Sequence, residues 1–255
     1  MPKPIGLQLY TLRDALGNDF EGVIRRVADI GYIGVEPFGG AFAKTPPQEA
    51  VRLFNEVGLQ VIGSHAPIPL GDDKNKALDM MAALHSKRLI VPWLPPEDFA
   101  TVDATKRACA MLNEANAVAR ENGLELLYHN HWQEYAQVNG RRVYQIMVEE
   151  LDPTINFEID TYWVKTAGVD PIAVIKELGA RAPLLHIKDG PTGQGLPMVA
   201  LGDGVIDIPG IVAAGENTAE WIIVELDNCD TDMMEAVEKS YRYLTSKGLA
   251  RGNKS

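Results

Sequence analysis

Residues 155–170 read INFEIDTYWVKTAGVD, and their first six positions decide how the rest of the chain is read. Ile155, Phe157 and Ile159 alternate with Asn156, Glu158 and Asp160, which is the signature of an extended strand. Side chains on a strand alternate by twos, so Glu158 and Asp160 point the same way. An ionised acid on a buried strand is costly unless something compensates it. Two acids on one face therefore ask for a cation. The bland alternative has Asp160 capping the following turn and Glu158 paired with a lysine, so recurrence of the pattern decides.

It recurs along the chain. Apolar runs end in His129 to His131 (LELLYHNHWQEY), in His186 to Asp189 (LLHIKD) and in Glu225 (WIIVELDN). Earlier runs end in Glu36 (GYIGVEPFG) and His65 (LQVIGSHAP). Four of the five histidines thus sit where a strand hands over to a loop. His85 lies in or beside a helix and is read as an ordinary surface residue.

Between these runs stand segments of helical period. Asn18 to Glu21 reads as a capping box for a helix ending at Gly31. Thr45 with Pro46 marks a second helix start, and Thr101 a long helix reaching Glu121. Strands and helices alternate eight times at spacings of roughly 30 residues, the length of one βα unit. Eight such units in about 250 residues predict a (β/α)8 TIM barrel as a single domain over residues 1–255. An open doubly wound sheet would want a Gly-rich phosphate turn after its first strand, and YTLRDALG offers none. Residues 251–255 read as a frayed tail.

Composition narrows the function. The chain has 255 residues, a net charge of -11, 46% hydrophobic and 23% charged residues. The acidic balance argues against nucleic acid, which needs a basic stripe, and against anionic membranes. No apolar run reaches the length of a membrane span, and MPKPIGLQLY has no signal-peptide core. Two cysteines, Cys109 and Cys229, make no disulfide framework. The expected location is the cytoplasm and the expected partner a small molecule, with a homo-oligomer left open.

In a barrel of this kind the strand ends converge on one mouth. They carry Glu36, His65, Trp93, His129, His131, Asp160, His186 and Glu225. Asp160, His186 and Glu225 supply two oxygens and one nitrogen, a set that suits a divalent ion such as Mn, Co, Mg or Zn. A fourth ligand is expected from the fifth strand, where His129 and His131 share a face and Glu134 lies just beyond. Glu36 and His65 come from across the barrel and are expected to meet substrate hydroxyls. Trp93, Trp132 and Trp163 follow strand ends too; flat rings suit the C–H faces of sugars, and loop packing is the alternative. Lys165, Arg141 and Arg142 are expected near the mouth, leaving a substrate phosphate open.

In this order, YHNHWQEY, FEIDTYWVKTAG, LLHIKDG, GDGVID and IIVELD resemble the sugar phosphate isomerase/epimerase family with the xylose-isomerase-like barrel. The resemblance covers essentially the whole chain. It implies a divalent metal at the mouth and substrates that are sugars, keto-sugars or cyclic polyols. It implies Asp160, His186 and Glu225 as ligands. The family's strand-five glutamate falls in YHNH, where His129 is the nearest equivalent. The chemistry implied is proton abstraction beside a carbonyl, through an enediolate. Glu225 and Glu158 are candidate bases, His131 and Glu134 their partners, and Lys188 a candidate to steady the oxyanion. With a leaving group β to the carbanion, the same site would be a lyase or dehydratase of a keto-sugar or inosose. A catalytically silent sugar-binding barrel is a third reading, disfavoured by the intact ligand set. A DNA-repair endonuclease of this fold is a fourth, disfavoured by the acidic charge.

Overall fold

The barrel closes through a strand that is broken in two. In a computed structural model, which describes residues 1–254, β1 (Lys3–Gln8) pairs in parallel with β2 (Gly34–Glu36). The run expected as one third strand forms β3 (Gln60–Val61), paired with β2, and β4 (Ser64–His65), paired with β5 (Arg88–Val91). Ile62 and Gly63 carry the chain from one neighbour to the other. A Cβ at Gly63 would meet Ile90 Cδ1 at 2.7 Å and Arg88 Cβ at 3.2 Å, so glycine lets β5 approach closely here. From β5 the wall continues through β6 (Glu125–His129), β9 (Asn156–Asp160), β10 (Leu184–Ile187) and β11 (Trp221–Val224), which pairs back to β1. All these pairings are parallel. Counting β3 and β4 as one, the eight-stranded barrel is the expected one.

Three elements lie outside the wall. β7 (Gln137–Val138) and β8 (Arg141–Arg142) form a hairpin beyond β6, and β12 (Ala250–Arg251) joins β1. The tail expected to fray is therefore anchored: Arg251 pairs with Pro4 and the Asn253 amide donates to Gly31. Ser255 lies outside the described residues.

The expected eight helices are α2 (Phe20–Ile30), α3 (Pro47–Glu56), α4 (Lys74–Ala83), α5 (Val102–Glu121), α6 (Val143–Glu150), α8 (Pro171–Leu178), α9 (Ile208–Ala214) and α10 (Met233–Ser246). Two short ones add to them, α1 (Arg13–Asn18) and α7 (Thr161–Thr166). α2 is capped by Asp19, which accepts from the Gly22 amide, not by Asn18, which ends α1. α3 follows Pro46 without a side-chain cap, so Thr45 does not start it. Thr101 caps α5 as expected. Cys109 and Cys229 are free. Among the described residues no helix is long and apolar enough to cross a membrane.

Alternation along the strands divides the barrel interior into a dry floor and a polar upper part. Ile62, Ile90, Leu127, Leu184 and Ile223 pack together on the floor with Trp221 against them. Two residues further along the same strands stand His129, His186 and Glu225, and beyond Gly34 stands Glu36. Gly34 makes room for the floor: a Cβ there would meet Ile62 Cγ1 at 2.8 Å and Trp221 Cζ3 at 2.8 Å. Gly34→Ala is expected to destabilise the protein by about 1–3 kcal/mol through overpacking, read as a lower midpoint in chemical denaturation. An unchanged midpoint would mean that the floor yields.

Candidate active site

The polar interior has two tiers. In the lower one, Glu36 Oε1 accepts from Gln8 Nε2 at 2.5 Å and lies 2.9 Å from His186 Nε2 and 3.2 Å from His65 Nε2. Glu158 Oε2 lies 2.8 Å from His65 Nε2 and 3.2 Å from His186 Nε2. Glu158 thus pairs with histidines, not with a lysine. Burial opposes charge on all of these groups, and their mutual attraction decides the outcome. His65 is raised to about 9 because Glu36 and Glu158 outweigh its desolvation. His186 is raised well above its ordinary value for the same reason. Burial pushes Glu36 up, but His186 and His65 hold it well below the usual carboxylate range.

The upper tier stands at the C-terminal ends of β9, β10 and β11. Lys188, fully buried, places Nζ 2.9 Å from Asp160 Oδ2, 2.8 Å from Glu225 Oε2 and 2.8 Å from Asp227 Oδ2. His186 Nδ1 lies 2.8 Å from Glu225 Oε2, so this ring offers one nitrogen to each tier. Asp160 divides its labour. Its Oδ1 accepts from the Tyr162 and Trp163 amides and caps α7, while Oδ2 faces inward beside Lys188. The capping role and the inward-facing role are both present. Burial raises Asp160 to about 6, partly offset by Lys188 and reinforced by Glu225 and Asp227. Burial likewise disfavours ionised Glu225, but Lys188 and His186 prevail and hold it well below its usual range.

A cavity of about 630 Å³ opens above this tier. Glu225, Asp227, His65, His129 and His131 line its polar end, and Trp93, Trp132 and Trp163 its walls, with Tyr10 and Phe38 opposite. His131 stands edge-on to Trp93 at 4.8 Å and stacks on Trp163 at 6.0 Å. Burial and the Lys188 charge lower His131 to about 3, so its ring is neutral. The loop after β10 forms part of the rim through Gln194 and Gly195. Asp189 clasps that loop, accepting from the amides of Gly190, Gly202, Gly204 and Ile206.

Four expectations need correction. Glu36 does not line the cavity; it is fully buried and engaged by Gln8, His65 and His186. Glu158 likewise lies beneath the cavity. Glu134 turns away, accepting from the Tyr128 hydroxyl and the His131 amide, and it lines a separate crevice with Tyr135 and Tyr144. Of the cations expected near the mouth, Arg141 pairs with Glu149, Arg142 donates to the Tyr135 carbonyl, and Lys165 is exposed; none lines the cavity. Asp227, Gln8 and Asp189 were not singled out by the sequence. Asp227 was findable, since it stands two residues beyond Glu225 and alternation puts both on one face.

The donor set fits a divalent ion. One ligand atom from each of His129, Asp160, His186 and Glu225 lies within 4.8 Å of the others, and a second group of His65, His129, Glu158 and His186 overlaps it. Glu158 Oε1 and His129 Nδ1 are buried without a hydrogen bond, and Asp160 Oδ2 has only the Lys188 ammonium beside it. His129 Nδ1 lies 3.0 Å from Glu158 Oε2 but forms no hydrogen bond with it. Burial, then the positive neighbours, lower His129 and favour the neutral ring, which has one nitrogen free to ligate. Buried polar atoms left unpaired are costly, and a cation held by either group would relieve part of that cost.

Residues 24–247 match the model of the family described as xylose isomerase-like TIM barrel. A sugar phosphate isomerase/epimerase from Parabacteroides distasonis is similar in structure with a TM-score of 0.85, at 26% identity over 98% of this chain and 96% of that one. An L-ribulose 3-epimerase shares the fold at a TM-score of 0.70, with 18% identity over 98% of this chain and 95% of that one. The probable 3-DHS dehydratase of Bacillus anthracis shares it at 0.75, with 13% identity over 95% and 98%. No curated protein matches by sequence. A parallel barrel with a histidine–carboxylate cluster at the C-terminal ends of its strands, matched over most of its length, is thus a member of the xylose isomerase-like TIM barrel family.

Proposed function

We propose that the chain is a divalent-metal-dependent isomerase or epimerase that moves a proton at the carbon beside the carbonyl of a sugar or keto-sugar. One observation carries this reading: the group of His129, Asp160, His186 and Glu225 opens through His129 and Glu225 onto the aromatic-walled cavity. These four residues would hold the ion, which when bound supplies Lewis-acid polarisation of the carbonyl. Glu225, held ionised by Lys188 and His186, is better suited to ligation than to taking a proton. His131 and Asp227 face the cavity and are the proton carriers on this reading; His131 is neutral, and Asp227 is pushed up by burial, against the pull of Lys188. The buried positions of Glu158 and Glu134 argue against their reaching a substrate carbon. Lys188, fully buried and absent from the cavity lining, holds Asp160, Glu225 and Asp227 in place instead of meeting the substrate oxygen. Trp93, Trp132 and Trp163 pack on sugar faces and exclude water.

Turnover in D₂O tests the reading. With manganese-loaded protein and a panel of aldoses and keto-sugars, the product is expected to carry deuterium at one carbon. Loss of water or another leaving group would mark the lyase variant of the same site. Product without label and without elimination would point to hydride transfer, and the roles of His131 and Asp227 would fall.

A further inference from the structure

We infer that the substrate is an uncharged saccharide of two linked rings, not a phosphorylated monosaccharide. This rests on the sugar isomerase or epimerase reading and narrows it. Among the described residues lining the cavity there is no lysine or arginine, whereas two are acids, Glu225 and Asp227. Away from the polar end, where the ion would be held, a phosphate in the cavity would meet hydrocarbon, with no fork of guanidinium donors to receive it. Two cations that touch lining residues have partners of their own. Lys188 is paired with three carboxylates. Arg13 lies 4.3 Å from the centre of the Tyr10 ring and donates to the carbonyls of Tyr10 and Asp227.

Size and lining say what replaces the phosphate. At about 630 Å³ the cavity falls in the ~300–1,000 Å³ range that encloses drug-sized ligands, which is more than one sugar ring fills. The polar end, with Glu225, Asp227 and the histidines, takes the reacting ring. The second ring then lies toward the rim, where Trp93 is 41% exposed and Tyr10 is 38% exposed. Aromatic rings at a cavity entrance are suited to pack on the C–H faces of a sugar.

Tryptophan fluorescence titration of the manganese-loaded protein tests this with glucose, maltose, cellobiose, lactose, glucose 6-phosphate and fructose 6-phosphate. At least one disaccharide is expected to bind about tenfold or more tightly than glucose, and both phosphates more weakly than the disaccharides. Trp93→Ala, at a half-open position, is expected to cut the disaccharide-to-glucose affinity ratio about fivefold. A phosphate that binds tighter than every disaccharide overturns the inference, as does a panel in which no disaccharide outbinds glucose. A protein that exchanges deuterium on turnover but prefers a phosphate keeps the isomerase reading and loses this one.

Discussion

Asp160→Asn is expected to strip the divalent ion from the protein while the barrel stays folded. The two carboxylate oxygens have separate partners, which makes the substitution informative. Oδ1 accepts from the Tyr162 and Trp163 amides at 3.0 Å each, and an asparagine carbonyl can keep both bonds, so the start of α7 survives. The inward atom becomes an amide nitrogen in the other position, a donor with no lone pair for a cation, placed against the ammonium of Lys188. Removing even an outer partner of a metal ligand costs on the order of 10–100-fold in affinity, so loss of a ligand oxygen is expected to cost at least ~100-fold. Elemental analysis after dialysis reads the outcome directly, with circular dichroism as the check on folding. Full metal occupancy in a folded Asp160→Asn protein would remove Asp160 from the ligand set and leave the group of His65, His129, Glu158 and His186 as the alternative.

Lys188→Met is expected to show the largest loss of stability. The ammonium is fully buried and lies within 2.9 Å of oxygens from three carboxylates. Methionine fills much of the same volume, so the change is chiefly one of charge. Removing one partner of a buried ion pair typically costs about 3–5 kcal/mol, because the other charge is left uncompensated. Three acids around one vacancy place this site at the upper end. Chemical denaturation in EDTA should show the shift, and manganese should restore part of it by binding the folded state alone. An unchanged midpoint in EDTA would mean that Asp160, Glu225 and Asp227 relieve their repulsion by taking up protons.

The wall of the barrel and the inward faces of its last strands follow from local periodicity. Alternation alone puts Glu158 with Asp160, His186 with Lys188, and Glu225 with Asp227 on one side of each strand, because successive side chains on extended backbone must oppose each other. Helix periods, the Thr101 cap and the regular spacing were legible for the same local reason. How those faces meet is a matter of the folded barrel. The stagger of eight strands sets heights, and height separates Glu36 and Glu158, sealed beneath the cavity, from Glu225 and Asp227 at its edge. It also gives His186 one carboxylate neighbour above and two below, which its position in LLHIKD does not reveal. The third strand breaks because closing the ring requires one segment to serve two neighbours. Glu134 turns away because Tyr128, one residue before His129 and so on the outer face of β6, offers its hydroxyl on the far side of the wall. Period and composition are properties of near neighbours in the chain, whereas each of these outcomes depends on groups brought together from distant segments.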